Sequence, residues 1–227
     1  MESACFLNIG ENNYILTSCR NDSFAQPIKV FDFDGNQIKE IGQSNENTYF
    51  IDTYYDKKLN KRYIITGNSE YVKSYDFEEN EFYQMYVDVN SNFNCFHPSA
   101  IVLDNENNDN IIRLVESSLN GINGIIRIWN FHNSDLINKI DLNCNEIVSI
   151  CKWDDDNIIA ACDNSIKLIN LENFQICESF NGHKDKVFTV KKIKHPKFGN
   201  CIISQALNDE NIKLWNLQDS KSNLIKK

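Results

Sequence analysis

One six-residue phrase occurs five times in the 227-residue chain. It reads Ile/Val, Lys/Arg, any residue, an aromatic residue or Ile, Asp/Asn, then Phe/Leu. The copies start at Ile28, Val72, Ile126, Ile166 and Ile212. Their fourth residues, Phe31, Tyr75, Trp129, Ile169 and Trp215, follow one another at steps of 44, 54, 40 and 46 residues. Recurrence at this period constrains a chain more than any local propensity does. Each unit is one supersecondary element that cannot bury its apolar faces alone, so the units must stack on one another.

The phrase alternates. In Ile212-Lys213-Leu214-Trp215-Asn216-Leu217 one side carries Ile212, Leu214 and Asn216, and the other carries Lys213, Trp215 and Leu217. β-branched and aromatic residues at this density predict a strand. Two further apolar runs precede each copy and a weaker one follows it, as in Val187–Ile193, Cys201-Ile202-Ile203 and Ser222–Ile225 around Trp215. Short turns such as Gly67-Asn68-Ser69 and Asp163-Asn164-Ser165 separate the runs. Four strands per unit at this period predict an all-β propeller of four-stranded antiparallel blades, one sheet per blade. The chain is expected to form one such domain over residues 1–227. Its five blades are placed at about 4–41, 46–88, 97–142, 146–180 and 184–226, as a closed ring or as an arc of a larger propeller.

Composition narrows the partners. The net charge of −9 opposes a phosphate backbone, so nucleic acid is not expected. Met1–Gly10 lacks a basic region followed by an apolar run, and no apolar stretch reaches the ~20 residues of a membrane span, so no membrane is expected. Both absences direct the expectation to a cytoplasmic or nuclear protein. The eight cysteines include no Cys-x-x-Cys pair, and several sit in apolar runs, so they read as reduced, buried small hydrophobes.

The last unit resembles a blade of the WD-repeat β-propeller family. It has Gly182-His183, a strand from Val187, a turn at His195–Gly199, Ser204, Asp209 and then Trp215-Asn216. The resemblance implies a structural tetrad of His183, Ser204, Asp209 and Trp215. In it, the carboxylate holds the imidazole in one tautomer, and the imidazole meets a hydroxyl that also meets the indole N–H. Elsewhere the pattern erodes. The fourth unit keeps Asp163 but has Ile169 for Trp, the third keeps Trp129 with Asn123 at the Asp position, and the first two carry Phe31 and Tyr75.

Sites for chemistry read as structure instead. Ser204 has no Gly-x-Ser-x-Gly elbow around it, so a hydrolytic Ser–His–Asp set is not expected. Asp32–Asn36 lacks the end ligands of a calcium loop, and Asp154-Asp155-Asp156 reads as a solvated turn. No enzyme, cofactor or metal site is therefore expected. In the family, partners often bind the loops between blades and those before the phrase strand. That implies a protein-interaction scaffold, with Phe93, Phe96, His97, Leu119 and Ile122 as anchors. Two other readings remain: an enzyme or small-ligand binder using the central channel, or a piece of a larger WD-repeat protein. An open ring would add self-association.

Overall fold

The structure, a computed structural model, describes residues 3–18, 27–42, 47–89, 96–104, 111–119, 123–218 and 221–226. These form twenty strands in five four-stranded sheets. Sheet one holds β1 (Ser3–Ile9), β2 (Asn12–Ser18), β3 (Ile28–Asp32) and β4 (Gln37–Ile41). Sheet two holds β5 (Phe50–Asp56), β6 (Lys61–Gly67), β7 (Val72–Asp76) and β8 (Glu81–Tyr86). Sheet three holds β9 (Phe96–Leu103), β10 (Arg113–Leu119), β11 (Gly124–Asn130) and β12 (Leu136–Asp141). Sheet four holds β13 (Ile147–Lys152), β14 (Asn157–Cys162), β15 (Ser165–Asn170) and β16 (Gln175–Asn181). Sheet five holds β17 (Val187–His195), β18 (Gly199–Ala206), β19 (Lys213–Gln218) and β20 (Lys221–Lys226). Every sheet pairs its strands antiparallel in chain order, and the repeated phrase falls on the third strand of each.

The core lies between the sheets. Leu16, Ile28 and Val30 of sheet one bury against Ile64, Tyr75 and Phe77 at sheet two. Tyr63, Ile65 and Val72 of sheet two meet Leu114 and Trp129 of sheet three. Val115, Ile126 and Ile128 meet Ile158, Ala160 and Ile169 of sheet four. Ile159, Ala161, Ile166 and Phe180 meet Val190, Ile202 and Trp215 of sheet five. Alternation explains this division. Along the third strands of sheets two to five the fourth phrase residue faces the preceding sheet, and in sheets one to four the first and third residues face the following one.

First strands gather along one line. β1 packs against β5, β5 against β9, β9 against β13 and β13 against β17. Hydroxyls reinforce three of these steps. The N–H of Ile51 donates to Ser3 Oγ (3.1 Å), that of Ile150 to Ser99 Oγ (3.3 Å) and that of Val190 to Ser149 Oγ (3.3 Å). Phe50 takes the place of the hydroxyl in sheet two. The fourth strands lie at the outer edge. Each pairs with its third strand through a register shift just before the fourth phrase residue, at Val30/Phe31, Ser74/Tyr75, Ile128/Trp129, Leu168/Ile169 and Leu214/Trp215. A bulge there bends the exposed edge and discourages pairing with another chain.

Candidate functional site

Strand direction alternates within a sheet. The connection between sheets and the connection from second to third strand therefore emerge at one common end. His183 sits in the connection into sheet five, Ser204 on β18, Asp209 in the turn after it, and Trp215 on β19. The four join in a chain of hydrogen bonds. Asp209 Oδ2 lies 2.5 Å from His183 Nδ1, His183 Nε2 lies 2.7 Å from Ser204 Oγ, and the indole N–H of Trp215 donates to Ser204 Oγ at 2.7 Å. A fifth member was not expected from the sequence. Lys213 Nζ donates to Asp209 Oδ2 and to the Gly182 carbonyl, each at 2.6 Å.

The environment sets the charges. Hydrogen bonds from Lys213 and His183 pull the Asp209 carboxyl down to about 2. Burial holds the His183 imidazole below its ordinary value, against the pull of Asp209. The tetrad is thus an ionised Asp209 under Lys213 with a neutral His183. Both groups work against acid. As pH falls below ~6.5 the unfolded His183 takes a proton before the folded one does, and between about 4 and 2 the same holds for Asp209. Stability from the tetrad is thus present at neutral pH and lost on acidification. Melting curves should show the gap between wild type and His183→Gln narrowing as pH is lowered from 7 to 5; a gap independent of pH contradicts the neutral imidazole.

The geometry also removes Ser204 from nucleophilic chemistry. Its oxygen accepts the indole proton and bonds the imidazole, and the residue is 1% exposed. No substrate carbonyl can approach it without opening the sheet.

The strand register shows what replaces the tetrad elsewhere. Ser204 pairs with Lys213 across β18 and β19. The matching pairs are Thr17–Lys29, Thr66–Lys73, Glu116–Arg127 and Ala160–Lys167. In sheets three to five the basic residue at the second phrase position ties its sheet to the incoming connection. Lys167 Nζ donates to the Leu142 carbonyl, as Lys213 does to Gly182. In sheet three Arg127 Nε donates instead to Asp88 Oδ2 at 3.1 Å. Arg127 Nη1 lies 3.4 Å from Glu116 Oε1 and also donates to Ser118 Oγ. Lys139 completes an ion pair with Asp88. Asp163, the counterpart of Asp209, accepts from the N–H groups of Asn145 (3.0 Å) and Glu146 (3.1 Å). Each device fastens a connection between sheets to the sheet it enters.

Glu116 is fully buried, which alone would raise its pKa; His97 and Arg127 outweigh that and hold the carboxyl below its ordinary value. His97 Nδ1 lies 2.8 Å from Glu116 Oε2. His97 was expected in a partner-facing loop, but it is the second residue of β9 and 4% exposed. Its imidazole turns inward because a buried carboxylate needs a second partner beside Arg127. His132, without an evident partner in the sequence, meets Tyr83 Oη through Nδ1 at 2.8 Å. Phe96 is exposed and stands edge-on to Tyr49. Phe93 and Ile122 lie outside the described residues, and Leu119 is described only as the last residue of β10.

Further exposed apolar side chains join Phe96 at this end, among them Ile212 (56% exposed) just before β19, and three were not singled out from the sequence. Val89 (76% exposed) lies in the connection into sheet three, Phe188 at the start of β17, and Leu207 (64% exposed) just after β18. Phe188 is the residue skipped by the shift between Val187 and Thr189, which breaks the alternation that would have placed it. Among the described residues no group of three or more His, Cys, Asp or Glu side chains could hold a metal ion, and Asp154–Asp156 folds as a turn closed by Asn157 and Lys152. The described cysteines, Cys5, Cys144, Cys151, Cys162, Cys177 and Cys201, are free thiols. Among the described residues no helix is long and apolar enough to cross a membrane.

No protein-family model matches the sequence. A curated relative, the U3 small nucleolar RNA-associated protein 21 homolog of Schizosaccharomyces pombe, is 26% identical over 120 residues, which cover 52% of this chain and 12% of that protein. The match spans about one eighth of the relative's length. The WD40 β-propeller domain of Doa1 superposes with a TM-score of 0.70 at 16% identity, over 99% of this chain and 68% of that one. The five sheets, with the phrase on every third strand, are blades of a WD40-type β-propeller.

Proposed function

We propose that this propeller is a non-enzymatic scaffold that receives partner proteins on the end of the blades formed by the inter-blade and second-to-third-strand connections. The observation that carries the reading is the exposure of Val89, Phe96, Phe188 and Leu207 at that one end. Separate aromatic and aliphatic side chains held out on rigid strands are the usual anchors of a protein interface. Polar side chains beneath them bond one another. His183, Ser204, Asp209 and Trp215 bond one another, and His97 and Glu116 do the same in the third blade. They set the shape of the surface and leave the apolar groups to make contact. The net charge of −9 supports protein over nucleic acid as the ligand. The relative's name associates that protein with small nucleolar RNA, which makes nuclear extract, alongside cytoplasmic extract, the place to look for partners.

The test is affinity capture with wild type and with the Phe96→Asp/Leu207→Asp variant. Both side chains are exposed, so the variant should melt within a few degrees of wild type. Loss of two anchors of ~2 kcal/mol each weakens binding by more than 100-fold. Specific partners of the wild type should vanish from the variant's capture. Retention of the same partners contradicts the assigned face.

A further inference from the structure

The connection into the fourth blade is held differently from the connection into the fifth. In the fifth blade His183, Ser204 and Trp215 bond across the junction. In the fourth the counterparts of Ser204 and Trp215 are Ala160 and Ile169, whose side chains form no hydrogen bonds. Two cysteines stand close by instead. Cys144 lies in the connection, and Cys162 is the last residue of β14. Their counterparts in the fifth blade are no such pair. Ala206 matches Cys162, since each pairs with the opening residue of its first strand, Val187 and Ile147. Lys184 matches Cys144, each two residues beyond the carbonyl that accepts from the phrase lysine.

Backbone contacts bring the two thiols together. Asn145 and Glu146 donate their N–H groups to the Asp163 carboxylate, and the Asp163 N–H donates to the Glu146 carbonyl at 3.1 Å. Both cysteines belong to the apolar cluster between blades three and four, and neither is more than 9% exposed. The Cys162 S–H donates to the Cys144 sulfur, and the Cys144 thiol donates to the Glu146 carbonyl at 3.7 Å. Gly124 makes the room: a Cβ there would stand 2.9 Å from Cys144 Sγ and 2.7 Å from the Ile147 side chain. Its N–H donates to the Cys144 carbonyl at 2.6 Å, which fixes the backbone that carries the thiol. The pair is asymmetric. The hydrogen bond from Cys162 holds the Cys144 thiol below its ordinary value, and the Lys167 ammonium acts in the same direction. That same hydrogen bond, with burial, pushes the Cys162 thiol up. Cys144 is therefore the nucleophile of the two. Among the described residues no third ligating side chain completes a metal site with them, which leaves redox chemistry to the pair.

We propose that Cys144 and Cys162 are a redox modification site, at which hydrogen peroxide joins the adjacent thiols in a disulfide that clamps the connection between blades three and four onto β14. The Cys144 thiolate attacks one peroxide oxygen, the O–O bond breaks, and the departing hydroxide takes up the proton that Cys144 released. Cys144 is then a sulfenic acid. The Cys162 sulfur attacks the Cys144 sulfur, the S–O bond breaks, and a second water leaves with the Cys162 proton. The two thiols lose two electrons and two protons, and one peroxide becomes two waters. At 9% exposure Cys144 is more open to an oxidant of this size than to a bulky disulfide. The clamped stretch also carries the start of the fifth blade. Glu146 forms an ion pair with Lys186, and the Asp163 carbonyl accepts from the Val187 N–H at 2.6 Å. Closure of the disulfide thus also fixes the segment beside Phe188. Only this last consequence touches the partner surface proposed above; the disulfide itself does not depend on it.

The experiment treats the full chain with hydrogen peroxide and uses the exposed thiol of Cys177 as an internal clock. Samples are blocked with iodoacetamide in denaturant and digested without reduction. Trypsin with a glutamate-specific protease separates Cys144 from Cys151 at Glu146, and mass spectrometry maps the products. A peptide pair linked through Cys144 and Cys162, lighter by two hydrogens than its parts, should appear before Cys177 is fully oxidised and vanish on reduction. Amide exchange at Asn145 and Glu146 should slow by about 10-fold or more in the oxidised chain. Cys162→Ala should stop the reaction at the Cys144 sulfenic acid, which dimedone traps, and Cys144→Ala should leave the Cys162 thiol unreacted. Cys151→Ala should form the bridge as the wild type does. Cys144 and Cys162 both still free once Cys177 is fully oxidised overturns the proposal. So does a bridge from either to a different cysteine, or a Cys144–Cys162 bridge that leaves exchange at Asn145 and Glu146 unchanged. The wild-type map alone decides the matter if a variant fails to fold.

Discussion

Replacing Arg127 by Met is expected to lower the unfolding free energy by about 3–5 kcal/mol, the cost of stripping a buried ion cluster of one partner. Arg127, Asp88 and Glu116 are almost wholly removed from solvent, and the guanidinium touches both carboxylates. Methionine fills much of the volume but takes the guanidinium away from both Asp88, which keeps its ion pair with Lys139, and Glu116, which keeps its pair with His97. The carboxylates then pay desolvation without the charge that offset it. The double variant Arg127→Met/Glu116→Gln removes one cation and one anion together, so it should recover part of the loss. Urea unfolding at pH 7 measures both. A loss below ~1 kcal/mol for the single variant would show that the cluster is hydrated and contributes little.

Trp215→Ala is the second large effect, at about 3–5 kcal/mol. The ring is buried among Phe180, Val190 and Ile202, edge-on to Phe180, and its N–H ends the tetrad at Ser204. Truncation opens a cavity between the fourth and fifth blades and leaves the Ser204 hydroxyl without the indole donor. Trp215→Phe separates the two contributions. It keeps most of the packing and loses the hydrogen bond, so it should cost about 1–2 kcal/mol. Equal costs for Ala and Phe would mean that the hydrogen bond, and not the packing, carries the residue's contribution.

The strand phrase made the architecture legible because it records a physical requirement at each position. Apolar residues at the first and third positions face one neighbour, and the large fourth residue faces the other. What stayed hidden was polar and buried. Glu116 and Arg127 look like solvated charges in a linear reading, because the carboxylate's partners, His97 and Arg127, are brought to it only by strand pairing. A signal was nonetheless present: Lys or Arg recurs at the second position of all five copies, on the same side of the strand as the buried aromatic residue. A cation repeated on a buried face needs a fixed acceptor, and the connection carbonyls of Leu142 and Gly182 supply it. Phe188 was hidden for another reason. One skipped residue between Val187 and Thr189 reverses the alternation and turns an apolar side chain to solvent.

The assignment of function to one end of the blades is tested most directly by moving the same perturbation to the other end. Leu59 is exposed in the turn between β5 and β6, at the end opposite Phe96 and Leu207. With a partner obtained by capture, its dissociation constant should be measured for wild type, Phe96→Asp/Leu207→Asp and Leu59→Asp, all at matched folded fraction. The account predicts a rise of more than 100-fold for the double variant and a change within about 3-fold for Leu59→Asp. Equal weakening by both, or weakening by Leu59→Asp alone, contradicts it.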